Sequence, residues 1–144
     1  MQPNYEPVPV NLMTTSQQRQ TVLAGDPDSE VVCMLSQLAP PDLFRVEQVT
    51  DTTELRELLR LPDVALAVMA LELLRLDRQL VDRLEGRIRH GLPVVVTVGK
   101  HMPAAEIAAR RLGCVLYAPK PLSFGLMSQA LTGILCPPRL VGAG

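Results

Sequence analysis

The stretch Gly113-Cys114-Val115-Leu116-Tyr117-Ala118-Pro119-Lys120-Pro121 decides the fold of this chain. Gly113 stands where a glycine closes a helix in the left-handed conformation. The β-branched and aromatic residues after it indicate a short strand, and Lys120 falls where that strand would end. An ionisable side chain at the end of a buried strand needs a partner, so we first ask which groups of the chain lie opposite Lys120.

Four earlier segments predict strands that alternate with helices. They are Thr21–Gly25, Phe44–Val49, Val64–Met69 and Leu92–Val98. The third and fourth carry no charged residue, as expected of central parallel strands covered on both faces. Strict alternation with short connections predicts a (βα)5 α/β domain, in which a doubly wound, parallel five-stranded sheet has the flavodoxin-like arrangement.

The predicted helices begin at recognisable signals. Asp26 and Pro27 read as the N-cap and first helical residue of the first helix, and Asp51 begins a capping box for the second. The third helix is predicted as one continuous element over 71–90. The fourth starts at Pro103, and the fifth follows Ser123. In the fourth helix, four residues are expected to face the core: Ala104, Ile107, Ala108 and Leu112.

A chain of 144 residues is the size of one domain. We predict that this domain occupies residues 21–136. Residues 1–20 are rich in proline and polar side chains without periodicity, so they are predicted to be a disordered N-terminal tail. Residues 137–144, which begin with two prolines, are predicted to be a C-terminal tail.

Composition excludes several classes of function. The 14 basic residues are balanced by 15 acidic ones and only 3% of residues are aromatic, so we expect no nucleic-acid binding by this chain alone. Cys33, Cys114 and Cys136 are scattered without metal-ligand spacing, which favours reduced thiols and a cytoplasmic location. The longest apolar run, Val64–Leu71, is too short to span a membrane.

The carboxyl ends of the strands are where parallel sheets of this kind place their working groups. Asp26 follows the first predicted strand, and Lys120 follows the last. We expect these two side chains to pair, because each charge would be costly to bury alone.

The order of the elements, together with Gly113, Tyr117 and Lys120-Pro121, resembles the receiver domain of bacterial response regulators over Thr21–Leu135. The resemblance implies a flavodoxin-like fold and phosphorylation by a histidine kinase in a two-component system. It also implies an acceptor aspartate on the third strand, Mg²⁺ held by acids after the first strand, and a hydroxyl and a lysine that contact the phosphoryl group. A cis peptide bond before Pro121 is implied as well.

Most of that machinery is missing from this chain. The acceptor position falls on Val68 and the hydroxyl position on Val98, while Thr97 is predicted to face the opposite side of the sheet. The acidic pair is reduced to Asp26, which follows Gly25. The degenerate phosphorylation-site positions are Asp26, Val68, Val98 and Lys120. The sequence therefore predicts a phosphorylation-independent pseudo-receiver that has no catalytic residues and needs no metal or cofactor.

Function is then expected to lie on a protein-binding surface. The resemblance implies the face formed by the fourth helix, the fifth strand and the fifth helix, where Tyr117 and arginine side chains are the expected anchors. The residues predicted to be presented there are Glu106, Arg110, Arg111, Tyr117, Ala118, Ser128 and Gln129. The expected partner is another signalling protein, or a second copy of the chain in a homodimer.

Two alternatives remain open. The first is a ligand-binding or enzymatic domain that uses Lys100, His101 and Lys120 at the carboxyl edge. A pocket lined by the two lysines would favour it, whereas filling of that edge by Val68 and Met69 would exclude it. The second alternative is a working phosphoreceiver that uses an offset acid such as Glu72.

Overall fold

A computed structural model of the chain describes residues 19–135, which form one parallel sheet flanked by helices. The strands are β1 (Gln20–Gly25), β2 (Phe44–Gln48), β3 (Val64–Ala70), β4 (Val94–Val98) and β5 (Leu116–Pro119). Their order in the sheet is β2-β1-β3-β4-β5, and every neighbouring pair is parallel. The predicted doubly wound α/β fold is confirmed.

Within residues 19–135, six helices connect and cover the strands. They are α1 (Ser29–Leu38), α2 (Thr52–Leu58), α3 (Leu71–Leu74), α4 (Arg78–Arg89), α5 (Pro103–Leu112) and α6 (Phe124–Leu135). The predicted third helix is two elements here, so the predicted fourth and fifth helices correspond to α5 and α6. Gly113 ends α5 with φ 106°, the left-handed conformation that the sequence predicts.

Each face of the sheet has its own core, because successive strand residues point to opposite faces. On one face, Leu23, Met69 and Val96 pack with residues of α2 to α5. On the other, Val68 and Val95 pack with residues of α1 and α6. This alternation decides which residues at the strand ends can meet.

Three helix predictions need correction. The N-cap of α1 is Asp28, whose carboxylate accepts a hydrogen bond from the Glu30 backbone N–H at 3.0 Å, so Asp26 is not used as a cap. The segment predicted as one helix over 71–90 breaks after Leu74. It breaks because Asp77 caps a new helix, accepting from the Leu80 N–H at 3.1 Å, and forms an ion pair with Arg56.

The predicted apolar stripe of α5 is wrong at three of its four positions. Ala104, Ile107 and Ala108 are exposed, whereas Leu112 packs against the core as predicted. Ala105 and Ala109 face the core, and Ile107 is 53% exposed. Alanines at these two positions leave no bulky side chain between the helix and the sheet, so the larger isoleucine points outward.

The predicted tails lie almost entirely outside the described residues, although Gln20, assigned to the first tail, begins β1. Over residues 19–135, no helix is both long enough and apolar enough to cross a membrane.

Candidate functional site

The centre of the carboxyl edge is Asp26, which follows β1 and is fully buried. Its carboxylate accepts three hydrogen bonds: from Lys120 Nζ at 2.9 Å, from Thr97 Oγ1 at 2.6 Å and from the Asp28 backbone N–H at 2.9 Å. A buried carboxylate is tolerated when it is paired and its oxygens are hydrogen-bonded, and all three donors serve that purpose here.

Lys120 is the partner that the sequence predicts for Asp26. Its Nζ also lies 3.5 Å from Asp28 Oδ2, and only 16% of its side chain is exposed. Burial alone would lower the pKa of Lys120, but the hydrogen bond and charge of Asp26, with a further contribution from Asp28, raise it above its ordinary value. Lys120 is therefore a charged ammonium at neutral pH. The peptide bond between Lys120 and Pro121 is cis, as the resemblance implies.

Thr97 was predicted to face away from this site, and that prediction is wrong. Its side chain is fully buried and donates to Asp26, whereas Val98 packs in the core on the other face of the sheet. The last residue of β4 is thus not the one that meets Asp26. An error of one residue in strand register moves a side chain to the opposite face of the sheet. The hydroxyl position was assigned to Val98, and the structure shows that it belongs to the preceding residue, Thr97.

The residue of β3 at the level of this site is Ala70. Gly25 is paired with Met69 and Thr97 with Ala70, so the position after Gly25, which is Asp26, lies level with Ala70. Val68, to which the acceptor position was assigned, pairs with Ala24 and lies deeper in the core. Neither valine nor alanine has an oxygen that can accept a phosphoryl group.

The small side chain of Ala70 allows the contact between Asp26 and Thr97. These residues belong to β1 and β4, which are separated by β3 and therefore lie roughly 9–10 Å apart in the sheet. Their side chains meet across β3 at the level of Ala70, whose methyl group leaves that space open. A carboxylate at position 70 would have to share the space with this hydrogen bond.

On the other face of the sheet, the Met69 side chain fills the space beside Gly25. A Cβ atom added at Gly25 would lie 2.7 Å from the Met69 sulfur and 3.2 Å from a methyl carbon of Leu55. Met69 is fully buried, so it cannot simply swing into solvent. Met69 therefore occupies the space that an acidic side chain at position 25 would need.

The residues at this edge do not fit the Mg²⁺ ion that the resemblance implies. Lys120 Nζ already lies against the carboxylates of both Asp26 and Asp28. Mg²⁺ needs an octahedral set of oxygen ligands, and an ammonium group in its place repels it. Among residues 19–135, no group of three or more His, Cys, Asp or Glu side chains could hold a metal ion.

The residues of the two alternative functions have other contacts. Glu72 accepts a hydrogen bond from the Gly99 backbone N–H at 2.9 Å and so links α3 to the loop after β4. His101 Nδ1 lies 2.9 Å from the Tyr117 hydroxyl oxygen, with the two rings in an edge-on arrangement. Lys100 is exposed. Within residues 19–135, no hydrogen bond joins Lys100, His101 and Lys120 into one site.

Tyr117 is not on the surface, which corrects its predicted role as a docking anchor. Only 8% of the residue is exposed, and its ring packs in the core with residues of α2 to α5. Ala118 is equally buried, on the opposite face. Although β5 is an edge strand, helices cover both of its faces, so only 8% of each residue is exposed to solvent.

The outer surface of α5, β5 and α6 carries other exposed groups. Arg110 and Arg111 are exposed, and Arg110 forms an ion pair with Glu106 at 3.1 Å, a pair typical of solvated helices. Three apolar side chains that sequence reasoning missed are each more than half exposed: Ile107, Val115 and Leu126. We define the α5–β5–α6 face as Glu106, Ile107, Arg110, Arg111, Val115 and Leu126.

Comparisons with known proteins identify the fold. No family model matches the sequence, and no curated protein matches it. Solved receiver domains do match the structure. The signal receiver domain of an HD domain-containing protein from Pseudomonas fluorescens Pf-5 is 23% identical with a TM-score of 0.66, and the match covers 81% of this chain and 94% of that one.

Two further structures give the same result. A response regulator from Thermotoga maritima is 18% identical with a TM-score of 0.63, covering 81% of this chain and 98% of that chain. A response regulator receiver protein from Burkholderia phymatum is 16% identical with a TM-score of 0.60, covering 81% and 95%. The chain therefore has a receiver-type fold, and its function has to be argued from its own residues.

Proposed function

We propose that this chain is a phosphorylation-independent receiver-like domain that acts as a protein–protein interaction module in bacterial signal transduction, without enzymatic activity. The observation that carries the proposal is the hydrogen bond between Thr97 and Asp26, which spans β3 at the level of Ala70. In this arrangement the hydroxyl and the lysine, which the resemblance assigns to a phosphoryl group, are both engaged with Asp26.

The absence of an acceptor at this edge supports the same conclusion. Val68 and Ala70 cannot be phosphorylated. The carboxylate of Asp26 is buried and already accepts three hydrogen bonds. Glu72, the offset acid, already accepts a backbone hydrogen bond and has no metal ligands beside it among the described residues. Among residues 19–135, no group at this edge combines a free carboxylate with a cation site.

Intact-mass measurement after incubation with acetyl phosphate and Mg²⁺ tests phosphorylation independence. We expect the mass to stay unchanged. An adduct of phosphate mass would overturn the proposal, and its loss in Glu72→Gln would identify the offset acid as the acceptor. A phosphorylatable receiver domain treated in parallel serves as the positive control.

The α5–β5–α6 face is the proposed docking surface. Its exposed apolar side chains, Ile107, Val115 and Leu126, supply contact area, and Arg110 and Arg111 supply anchors of a type enriched at interfaces. The partner is a signalling protein or a second copy of the chain, and both use the same surface.

Matched charge substitutions test this face. Pull-downs from source cells and sedimentation velocity are compared for the wild type, Ile107→Glu and Leu43→Glu. Leu43 is 55% exposed and lies beside β2, at the other edge of the sheet, so its substitution controls for a surface charge alone. We expect Ile107→Glu to lose partners or dimers that Leu43→Glu retains. Equal behaviour of the two variants would show that the face is wrongly chosen.

A further inference from the structure

A second surface lies on the opposite flank of α5, away from the α5–β5–α6 face. It is a groove of about 300 Å³ between α3, α4 and α5. We call it the α3–α5 groove, and its lining residues are Leu71, Leu74, Arg75, Arg78, Val81, Ala108 and Leu112. Five of these seven side chains are apolar, so the groove can bury apolar groups of a ligand.

The local backbone explains why the groove is open. α3 is a single turn that ends at Leu74, and α4 begins only at Arg78. On the facing helix, the exposed residue Ala108 has a side chain too short to fill the gap. Leu76, in the break between α3 and α4, is 75% exposed, the highest value among the exposed large apolar side chains of residues 19–135.

The charged side chains that line the groove are positive. Among residues 19–135, the charged side chains that line it are Arg75 and Arg78. Arg75 makes no ion pair within residues 19–135, and Arg78 shares only a solvent-exposed pair with Asp82 at 3.2 Å. Such solvent-exposed pairs contribute little to stability, so Arg78 can exchange Asp82 for a partner's carboxylate at little cost. The rim is therefore basic on a chain whose net charge is −1.

We propose that the α3–α5 groove binds an amphipathic helix of a partner protein that carries acidic residues beside its apolar stripe. Apolar side chains at i, i+3 or i+4, and i+7 would enter between Leu74, Val81 and Ala108. Glutamate or aspartate on the flanks would pair with Arg75 and Arg78. This surface is independent of the α5–β5–α6 face, so it goes beyond the function proposed above.

Charge complementarity argues against the chain's own ends as the occupant. Residues 1–18 contain one acid, Glu6, and residues 136–144 contain no acid and one arginine, Arg139. A nucleic acid is disfavoured as well, because the walls of the groove are aliphatic and provide neither a phosphate track nor stacking rings.

Peptide selection tests the proposal without a known partner. A display library of roughly four-turn helical peptides is selected on the wild type and counter-selected on Ala108→Trp, which fills the groove from an exposed position. We expect the enriched peptides to be acidic and amphipathic. Their affinity should fall at least about tenfold on Arg75→Glu/Arg78→Glu, a loss of about 1.4 kcal/mol, and should weaken with added salt.

Controls separate the possible outcomes. Ala108→Ser should bind as the wild type does, and circular dichroism should show that Ala108→Trp is folded. If it is not, the double arginine variant carries the test alone. Ile107→Glu should leave peptide binding unchanged, so failure of the α5–β5–α6 face does not affect this result.

Three results would overturn the proposal. The first is enrichment of neutral or basic peptides, or of peptides that bind the double arginine variant as tightly as the wild type. The second is a wild-type dimer in sedimentation equilibrium that Ala108→Trp abolishes, since the occupant would then be a second copy. The third is displacement of bound peptide by duplex DNA at equal charge concentration, which would indicate recognition of phosphate rather than of a helix.

Discussion

Lys120 Nζ and Asp26 Oδ1 lie 2.9 Å apart although their residues are separated by 94 positions in the chain. The contact joins the end of β5 to the end of β1, and it neutralises a carboxylate that has no access to solvent. It is therefore a structural ion pair at the place where the resemblance implies chemistry.

Replacing Lys120 by Met should lower the free energy of unfolding by about 3–5 kcal/mol, because it leaves the Asp26 charge buried without its cation. Urea denaturation followed by circular dichroism measures the change. Lys100→Met is the matched control, since Lys100 is the other lysine of the chain and is exposed. The double variant Asp26→Leu/Lys120→Met should recover most of the loss. A cost below about 1 kcal/mol for Lys120→Met would contradict a structural role for the pair.

Thr97→Val should destabilise the domain by about 1–3 kcal/mol, because one oxygen of the buried Asp26 carboxylate loses its donor while the shape of the side chain is kept. Thr97→Ser preserves the hydroxyl and should cost less, so the difference between the two variants isolates the hydrogen bond. Equal stability of Thr97→Val and the wild type in the same urea titration would show that the 2.6 Å contact is not maintained in solution.

Asp28→Asn should reveal a pH-dependent contribution. The hydrogen bond from the Glu30 N–H lowers the pKa of Asp28 below 3.8, partial desolvation opposes that shift, and the charge of Lys120 adds to it. Because the folded-state pKa is lowered, the stabilisation is present above pH 3.8 and is lost as the pH falls through the folded-state pKa.

Asparagine keeps an acceptor for the N-cap of α1, so the substitution removes mainly the charge. The wild type should be more stable than Asp28→Asn at neutral pH, and the gap should close in acid. Denaturation curves taken from neutral pH to below 3.8 provide the measurement. A gap that is independent of pH would mean that the carboxylate has an unshifted pKa.

Cys114 and Cys33 should differ in reactivity. Burial raises the pKa of the Cys114 thiol, opposed by the charge of Arg110, while Cys33 is exposed. The thiolate is the reactive form, so Cys114 should be alkylated by iodoacetamide more slowly than Cys33 at mildly alkaline pH. Peptide mass spectrometry over time, in a Cys136→Ser background, follows the two sites separately. Equal alkylation rates for Cys33 and Cys114 in the folded protein, without urea, would contradict the burial of Cys114.

The pairing of Lys120 with Asp26 was predictable from the sequence because parallel strands bring their carboxyl ends to one edge. The partner of the second Asp26 oxygen was not. Whether Thr97 or Val98 points toward Asp26 depends on the register of β4 with its neighbouring strands, and a single sequence does not specify this register.

The surface was harder to predict than the buried site. Tyr117 lies in an edge strand, and only the packing of helices on both faces shows that it is buried. Ile107 was assigned to the core because it is apolar at helical spacing. The alanines at 105 and 109 instead determine which side of α5 approaches the sheet.

The Met69 sulfur beside Gly25 limits which substitutions this edge of the sheet can accept. A receiver-type metal site would require an acid at position 25, where a side chain collides with Met69, and an acceptor at position 70, where a carboxylate competes with the Thr97–Asp26 hydrogen bond. Each substitution alone adds strain or an uncompensated charge. Both would therefore need companion changes at Met69 and at Thr97, on opposite faces of the sheet, before this edge could hold a cation beside an acceptor.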